Sequence, residues 1–179
     1  FQRDWFKYYD QLPQGVRKYG ASDYATKADE GDFTVHGVCA VDADGNIYID
    51  DIWRAQATSD VWVETLLDMA TGHNVFEWGE EQGQIIKSVG PFIERRMRER
   101  NIFFRRAQFT SATDKGTRAQ SIRARMSQGK VLFRRHAVWR LAFEAELLSF
   151  PAGKHDDQVD VLSLFGRMLD RMYPPKKAP

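Results

Sequence analysis

The chain carries one cysteine in 179 residues, which excludes an internal disulfide and a cysteine-rich zinc site. Cys39 lies in an apolar run and reads as a small buried hydrophobe, and a reducing cytoplasm is the expected compartment. Long hydrophobic runs are missing too. No stretch approaches the length of a transmembrane helix, and none at Phe1 reads as a secretory signal, so no membrane partner is expected. The chain opens on Phe rather than Met and reads as a piece of something longer. The four histidines, His36, His73, His136 and His155, are too scattered for a histidine-based zinc site, and only His155 stands beside acids. There is no internal repeat, no GxxxxGK[ST] phosphate loop and no Ser or Cys nucleophile in a recognisable elbow.

What is present is enough apolar material for a substantial single core, 42% of residues with 13% aromatic. The net charge of +1 conceals a segregation. Residues 94–140 hold fourteen Lys/Arg against three acids, a balance of +11 that leaves −10 for the remainder. Such a division suggests one surface for a polyanion and a separate cluster of carboxylates.

Residues 1–19 read as a connecting segment with aromatic anchors, 20–173 as one folded domain and 174–179 as a disordered Pro/Lys tail. Gly20 to Ala25 forms a short run carrying Asp23. Phe33 to Val41 is rich in β-branched and apolar residues and predicts a strand. Asp42 to Asn46 supplies the residues of a hairpin turn, and Ile47-Tyr48-Ile49 the return strand. Ser59 or Asp60 can cap a helix that buries Val61, Val63, Leu66, Leu67 and Ala70 and ends at Gly72. Val75 to Trp78 is a short candidate strand. A helix from about Gln84 to Arg100 contains Pro91. Ile102-Phe103-Phe104 is another candidate strand, Thr117 to Met126 a basic helix, and Val131 to Phe133 an extended piece. Trp139 to Phe150 is amphipathic. Strands first, interleaved helices and an apolar helix last give an α/β fold around a mixed sheet.

The last helix carries the strongest chemical signal. Val161, Leu162, Leu164, Phe165, Met168 and Leu169 recur at helical spacing, while His155, Asp156, Asp157 and Asp160 crowd its start. An aspartate at a helix N-terminus is usually a cap. One is enough for that, and three like charges together cost free energy unless a cation neutralises them. Two further acidic positions could meet this group: Asp23 on the first strand of the meander, and one of Glu77, Glu80 and Glu81. Carboxylates suit hard cations such as Mg²⁺ and Mn²⁺. Two such ions about 4 Å apart can activate water and stabilise the leaving oxygen in phosphodiester hydrolysis. A basic surface would hold the nucleic-acid backbone.

A resemblance sharpens this. The ordered segments Asp23-Tyr24-Ala25, Gly31-Asp32-Phe33-Thr34-Val35, Asp42 to Gly45, Tyr48 to Arg54, Glu81-Gln82-Gly83-Gln84-Ile85, Gly90-Pro91-Phe92, Asp114 to Gln120, Gly129-Lys130-Val131 and His155 to Asp160 resemble the nuclease domain of the large terminase subunit of tailed bacteriophages, over roughly residues 20–170. The resemblance implies an RNase H-like mixed sheet flanked by helices, binding two divalent cations, Mg²⁺ or Mn²⁺. It implies cleavage of concatemeric double-stranded DNA during genome packaging, in the host cytoplasm at the procapsid. Carried over by position, Asp23, Glu81 and Asp157 are the catalytic acids, with Asp156 as a further metal ligand and Glu77, Glu80, His155 and Asp160 as auxiliary candidates. Lys115, Arg118, Arg123, Arg125 and Lys130 are the candidate DNA contacts. The implied partners are an N-terminal packaging ATPase domain, a small terminase subunit and the capsid portal. With no ATPase domain in the chain, it is expected to cut but not to translocate.

Two other functions fit less well. A junction resolvase or transposase-type nuclease would share the acids but not these segments in this order, and a non-catalytic DNA-binding or docking module would not need them. Asp29, Asp32, Asp42, Asp44, Asp50 and Asp51 read as turn and loop residues, and Trp53, Trp62, Trp78 and Trp139 as packing.

Overall fold

The computed structural model describes residues 1–25, 33–110 and 114–169. Asp29, Asp32 and the tail expected at 174–179 lie outside them. Among the described residues one mixed sheet is built from β1 (Lys7–Tyr9), β2 (Arg17–Asp23), β3 (Thr34–Val41), β4 (Ile47–Ala55), β5 (Glu77–Glu81), β6 (Arg105–Phe109) and β7 (Val131–Arg134). Their order is β1-β7-β4-β3-β2-β5-β6. The meander β2-β3-β4 is antiparallel, and β5, β6, β7 and β1 join it by parallel pairing. The helices are α1 (Ser59–Gly72), α2 (Gln84–Glu99), α3 (Lys115–Ser127), α4 (Arg140–Ser149) and α5 (Asp157–Met168).

β3 is buried along its whole length, as expected of a central strand covered on both faces. Side-chain alternation divides the core. Tyr19, Ala21, Val35 and Cys39 face α5 and its neighbours α3 and α4, while Val38 and Trp78 face α1 and α2. Two glycines permit close approach. A Cβ at Gly20 would come within 2.1 Å of the Trp78 indole, and one at Gly79 within 2.5 Å of Met168 Sδ. β4 contains a bulge, because Val38 pairs with Asp51 and Cys39 with Ile49, leaving Asp50 unpaired in the register. The extra residue changes the alternation. Ile47 and Ile49 face α5 before it, and Ile52 and Arg54 face α5 after it.

Several expectations are corrected. Residues 1–19 are not a connecting segment only: β1 pairs with β7, Phe6 and Tyr9 are buried, and Arg17 to Tyr19 begin β2. β5 starts two residues later than Val75, and the next strand is Arg105–Phe109 rather than Ile102–Phe104. In α1, Val61 is exposed and Trp62 and Met69 are buried instead. The residue at its N-cap is Thr58, with no side-chain cap bond.

Candidate active site

Parallel pairing of β2 with β5, through Ser22 opposite Glu80, brings the C-terminal ends of both strands together. Asp23 ends β2 and Glu81 ends β5. Each follows the alternation of Tyr19 and Ala21, or of Gly79, onto the α5 face. The N-terminus of α5 reaches the same place, with Asp157 and Asp160 three residues apart on one helical face. Burial and then the charges of Asp160, Asp157 and Glu81 push Asp23 far above the usual carboxylate range; Lys115 opposes this. Four acids from three distant segments therefore act on one spot. Asp160, expected only as an auxiliary, is the strongest acidic influence on Asp23.

The geometry separates the three glutamates. Glu80 points to the other face, fully buried, where its carboxylate accepts hydrogen bonds from the Tyr24 hydroxyl (2.5 Å) and from Arg106 Nε (3.0 Å) and Nη2 (3.1 Å). It is a packed ion pair. Glu77 shares the face of Glu81 but lies at the far end of β5, with its carboxylate 3.1 Å from Arg105 Nε. Neither belongs to the acidic group.

The aspartates of α5 do not cap it. Asp156 is at the N-cap without a side-chain cap bond. Its place is taken by Glu146 of α4, which accepts from the backbone N–H of Gln158 (2.6 Å) and from Gln158 Nε2 (2.6 Å). A glutamate from a neighbouring helix satisfies the first-turn donor, so Asp156 and Asp157 are released from that duty. Asp156 accepts both its contacts from Lys115 Nζ, at 2.7 Å. Asp157 is different. Its Oδ2 is buried without a hydrogen-bond partner. Arg54 Nη2 lies 3.7 Å from it and His155 Nδ1 3.9 Å. Burial and the neighbouring Glu146 raise its pKa.

Cations interleave with these acids. Asp114 caps α3, accepting from the Thr117 N–H at 3.0 Å and the Thr117 hydroxyl at 2.6 Å. This places Lys115 and Arg118 on the first turn, facing α5. Lys115 Nζ lies 3.1 Å from Asp160 as well as against Asp156. Arg118 pairs with Glu81 through Nη1 and with Asp160 through Nη2, and Arg167 Nη1 donates to Glu81 at 3.0 Å. No three His, Cys, Asp or Glu among the described residues are grouped so as to hold a metal ion, since Lys115 and Arg118 stand between the acids. The donor chemistry nevertheless suits a hard divalent cation: every group is a carboxylate, and Asp157 Oδ2 is buried and unpartnered. A cleft of about 250 Å³ opens beside Asp23 and Glu81, walled by Tyr24, Gln82, Gln84 and Ile85.

The basic block does not form one open polycationic face. Arg96 and Arg100 pair with Glu64, Arg106 with Glu80, Arg134 with Asp50 and Arg140 with Glu144. Of the five expected DNA contacts, Lys115 and Arg118 are tied to the acids. Arg125 donates to the Gly45 carbonyl at 2.9 Å, on the hairpin at the sheet's opposite end, and Arg123 lies over the Phe1 ring. Lys130 precedes β7 and is half-buried. The structure therefore does not gather these five into one surface beside the acids. Arg54, Glu146 and Arg167 were missed as site residues. Arg54 closes the Tyr48 to Arg54 segment, and Arg167 lies two helical turns beyond Asp160, so spacing alone could have flagged both.

Comparison with known proteins agrees with this architecture. No curated protein sequence matches the chain. Among solved structures, the large terminase nuclease of the thermophilic phage G20c with bound zinc superposes with a TM-score of 0.64 at 18% identity, over 90% of this chain and 92% of that one. The same phage nuclease with bound magnesium gives 0.64 at 16% identity, over 92% and 93%. A fowlpox virus resolvase in complex with Holliday junction DNA gives 0.54 at 12% identity, over 86% and 97%. At these identities the likeness shows the fold, a mixed sheet of RNase H type flanked by helices. Residues 20–169 match the family model of the terminase RNase H-like domain, and with most of its length so covered the chain belongs to that family.

Proposed function

We propose that this chain is a metal-dependent endonuclease that cuts double-stranded DNA by phosphodiester hydrolysis, acting on concatemeric viral DNA during genome packaging. The observation that carries this is the convergence of Asp23, Glu81, Asp157 and Asp160 at the ends of β2, β5 and α5. In this reading those four carboxylates hold two Mg²⁺ or Mn²⁺ ions. When bound, such a pair supplies an activated water and charge stabilisation at the leaving oxygen. The bound magnesium and zinc named for the phage G20c nuclease support a divalent cofactor. The protein's own residues supply the rest. Asp23, buried and then crowded by like charge, has its carboxyl pushed toward the protonated form. Lys115 and Arg118 exchange their carboxylates for DNA phosphates once the metals neutralise the acids, which places the scissile phosphate over the cleft beside Glu81. The N-terminal ATPase domain, small terminase subunit and portal are the partners that this role requires, at the procapsid in the host cytoplasm.

A second reading, a structure-selective resolvase, is favoured by the likeness to the fowlpox resolvase fold. The test is cleavage of plasmid and of a four-way junction by the purified chain with Mn²⁺, Mg²⁺ or EDTA, beside Asp23→Asn. Metal-dependent degradation of plasmid, lost in the variant, supports the terminase-type nuclease. Cutting confined to the junction supports the resolvase. Cleavage that persists in Asp23→Asn or in EDTA sinks both.

A further inference from the structure

Arg54 lies outside the acidic group yet touches the structure that holds it. Its guanidinium carbon rests 3.4 Å from the centroid of the Phe33 ring. Its Nε lies 3.8 Å from Glu146 Oε2, and its Nη2 lies 3.7 Å from Asp157 Oδ2. Glu146 is the group that caps α5 through Gln158. One cation thus faces both the carboxylate that fixes the helix start and the carboxylate on its first residue. The β4 bulge at Asp50 is what aims it there. With an unbroken alternation, Trp53 rather than Arg54 would share the face of Ile49, but Trp53 stacks on His36 on the other side.

The distances matter as much as the contacts. Arg54 Nε and Asp157 Oδ2 are both buried without a hydrogen-bond partner. The pair is close enough to offset charge and too long to saturate the carboxylate. Asp156, by contrast, accepts from Lys115 Nζ at 2.7 Å through both oxygens. We propose that Arg54 is a positioning residue for metal binding: it holds Glu146 in its capping role and Asp157 in its rotamer, while leaving Asp157 Oδ2 free to ligate a divalent cation. The proposal rests on the nuclease reading.

Two physical effects oppose each other if Arg54 is changed. Losing a cation makes the site more negative and would tighten metal binding. Losing the fork that spans Glu146 and Asp157 disorders the ligand and would weaken it. Arg54→Lys separates them, because it keeps the charge and loses the planar geometry. The measurement is calorimetric titration of Mn²⁺ into the metal-free chain, with a thermal melt of each variant and cleavage across Mn²⁺ concentrations. Arg54→Lys should bind Mn²⁺ about 10-fold more weakly, the scale of losses at groups that orient metal ligands. The half-saturating Mn²⁺ for cleavage should shift with it, and the KM for DNA should stay unchanged. Arg54→Gln should also bind more weakly than wild type. Should Arg54→Gln fail to fold, Arg54→Lys carries the test. A folded Arg54→Lys that binds Mn²⁺ as tightly as the wild type, or a folded Arg54→Gln that binds it more tightly, overturns the proposal. Wild-type binding of Mn²⁺ without cleavage would sink the nuclease reading alone, and a wild type that takes up no Mn²⁺ would sink both.

Discussion

Glu80 and Glu81 are neighbours in the chain and lie on opposite faces of β5, one locked to Arg106 and Tyr24, the other turned toward Asp23. One residue of strand register exchanges their roles. Substitution should therefore dissociate two properties. Glu80→Gln leaves Arg106 without its buried counter-charge and should cost about 3–5 kcal/mol of stability, with Mn²⁺ binding retained in the folded fraction. Glu81→Gln should melt within a few degrees of the wild type and lose cleavage. Chemical denaturation and plasmid cleavage on both variants decide it, and the opposite pattern would reassign the strand.

Asp23→Asn should abolish cleavage and raise the melting temperature of the metal-free chain. Burial and then the charges of Asp160, Asp157 and Glu81 raise its folded pKa. The folded chain therefore holds its proton more firmly than the unfolded chain. This group's effect on stability is least unfavourable in acid and grows as pH rises from the ordinary 3.8 through the raised value. Relief of about 1 kcal/mol of repulsion would show as roughly 2–4 °C for a domain of this size. Scanning calorimetry in EDTA at neutral pH checks it. A variant that melts lower than the wild type would show Asp23 serving the core rather than the metals.

At the other end of the sheet, His73 lies between two carboxylates, Nδ1 3.2 Å from Asp50 and Nε2 3.1 Å from Asp51. Hydrogen bonds to Asp50 and then Asp51 push its pKa up to about 9, against burial. Burial pushes Asp50 up, but His73 and Lys18, with the charge of Arg134, hold it well below the usual range. Because the folded pKa of His73 exceeds its ordinary 6.5, the stabilisation is complete below about 6.5 and is lost as pH rises through about 9. His73→Gln should remove on the order of 1–2 kcal/mol at pH 6 and flatten the fall in melting temperature across that window. A wild-type curve already flat there would refute it.

Lys115 and Arg118 should contribute to DNA binding only when the acids are neutralised. Without metal, Lys115→Ala with Arg118→Ala should change DNA affinity little. With Ca²⁺ as a probe cation in the site, the double variant should bind more weakly. The deficit should be larger at low salt than at high, because each lost phosphate contact lowers the salt slope by about 0.9. Fluorescence anisotropy against salt, with Ca²⁺ and with EDTA, reads both parts. Equal losses with and without the cation would show that the two side chains already face the duplex.

Much of the scaffold was legible because its local signals are strong. β3 falls on a run rich in β-branched and apolar residues, the 42–46 hairpin on its turn residues, and α1 and α5 where helical spacing puts them. β5 and β6 were displaced for one physical reason. Val75-Phe76 and Ile102-Phe103-Phe104 have the higher β-propensity, yet the strands are Glu77–Glu81 and Arg105–Phe109, whose charges pair across them. Propensity reads side-chain packing and cannot see an ion pair whose partner lies 26 residues away. The basic block misled similarly. In the sequence its arginines suggest a surface, while in the fold Arg96, Arg100, Arg106 and Arg118 are held by acids brought from elsewhere. Asp23 and Asp157 stand out in the sequence by residue type and resemblance, and the fold brings their charges together. The capping role of Glu146 was not, since it depends on how α4 packs against α5.

The acids that meet beside the cleft come from the ends of β2 and β5 and the start of α5, separated by most of the chain. No local segment contains the site. Its integrity is therefore a property of the whole sheet, and partial opening of any one layer disperses it. Competence for cleavage should therefore be lost at or before cooperative unfolding and never after it, so that residual cleavage sets a lower bound on the fraction of molecules that are folded.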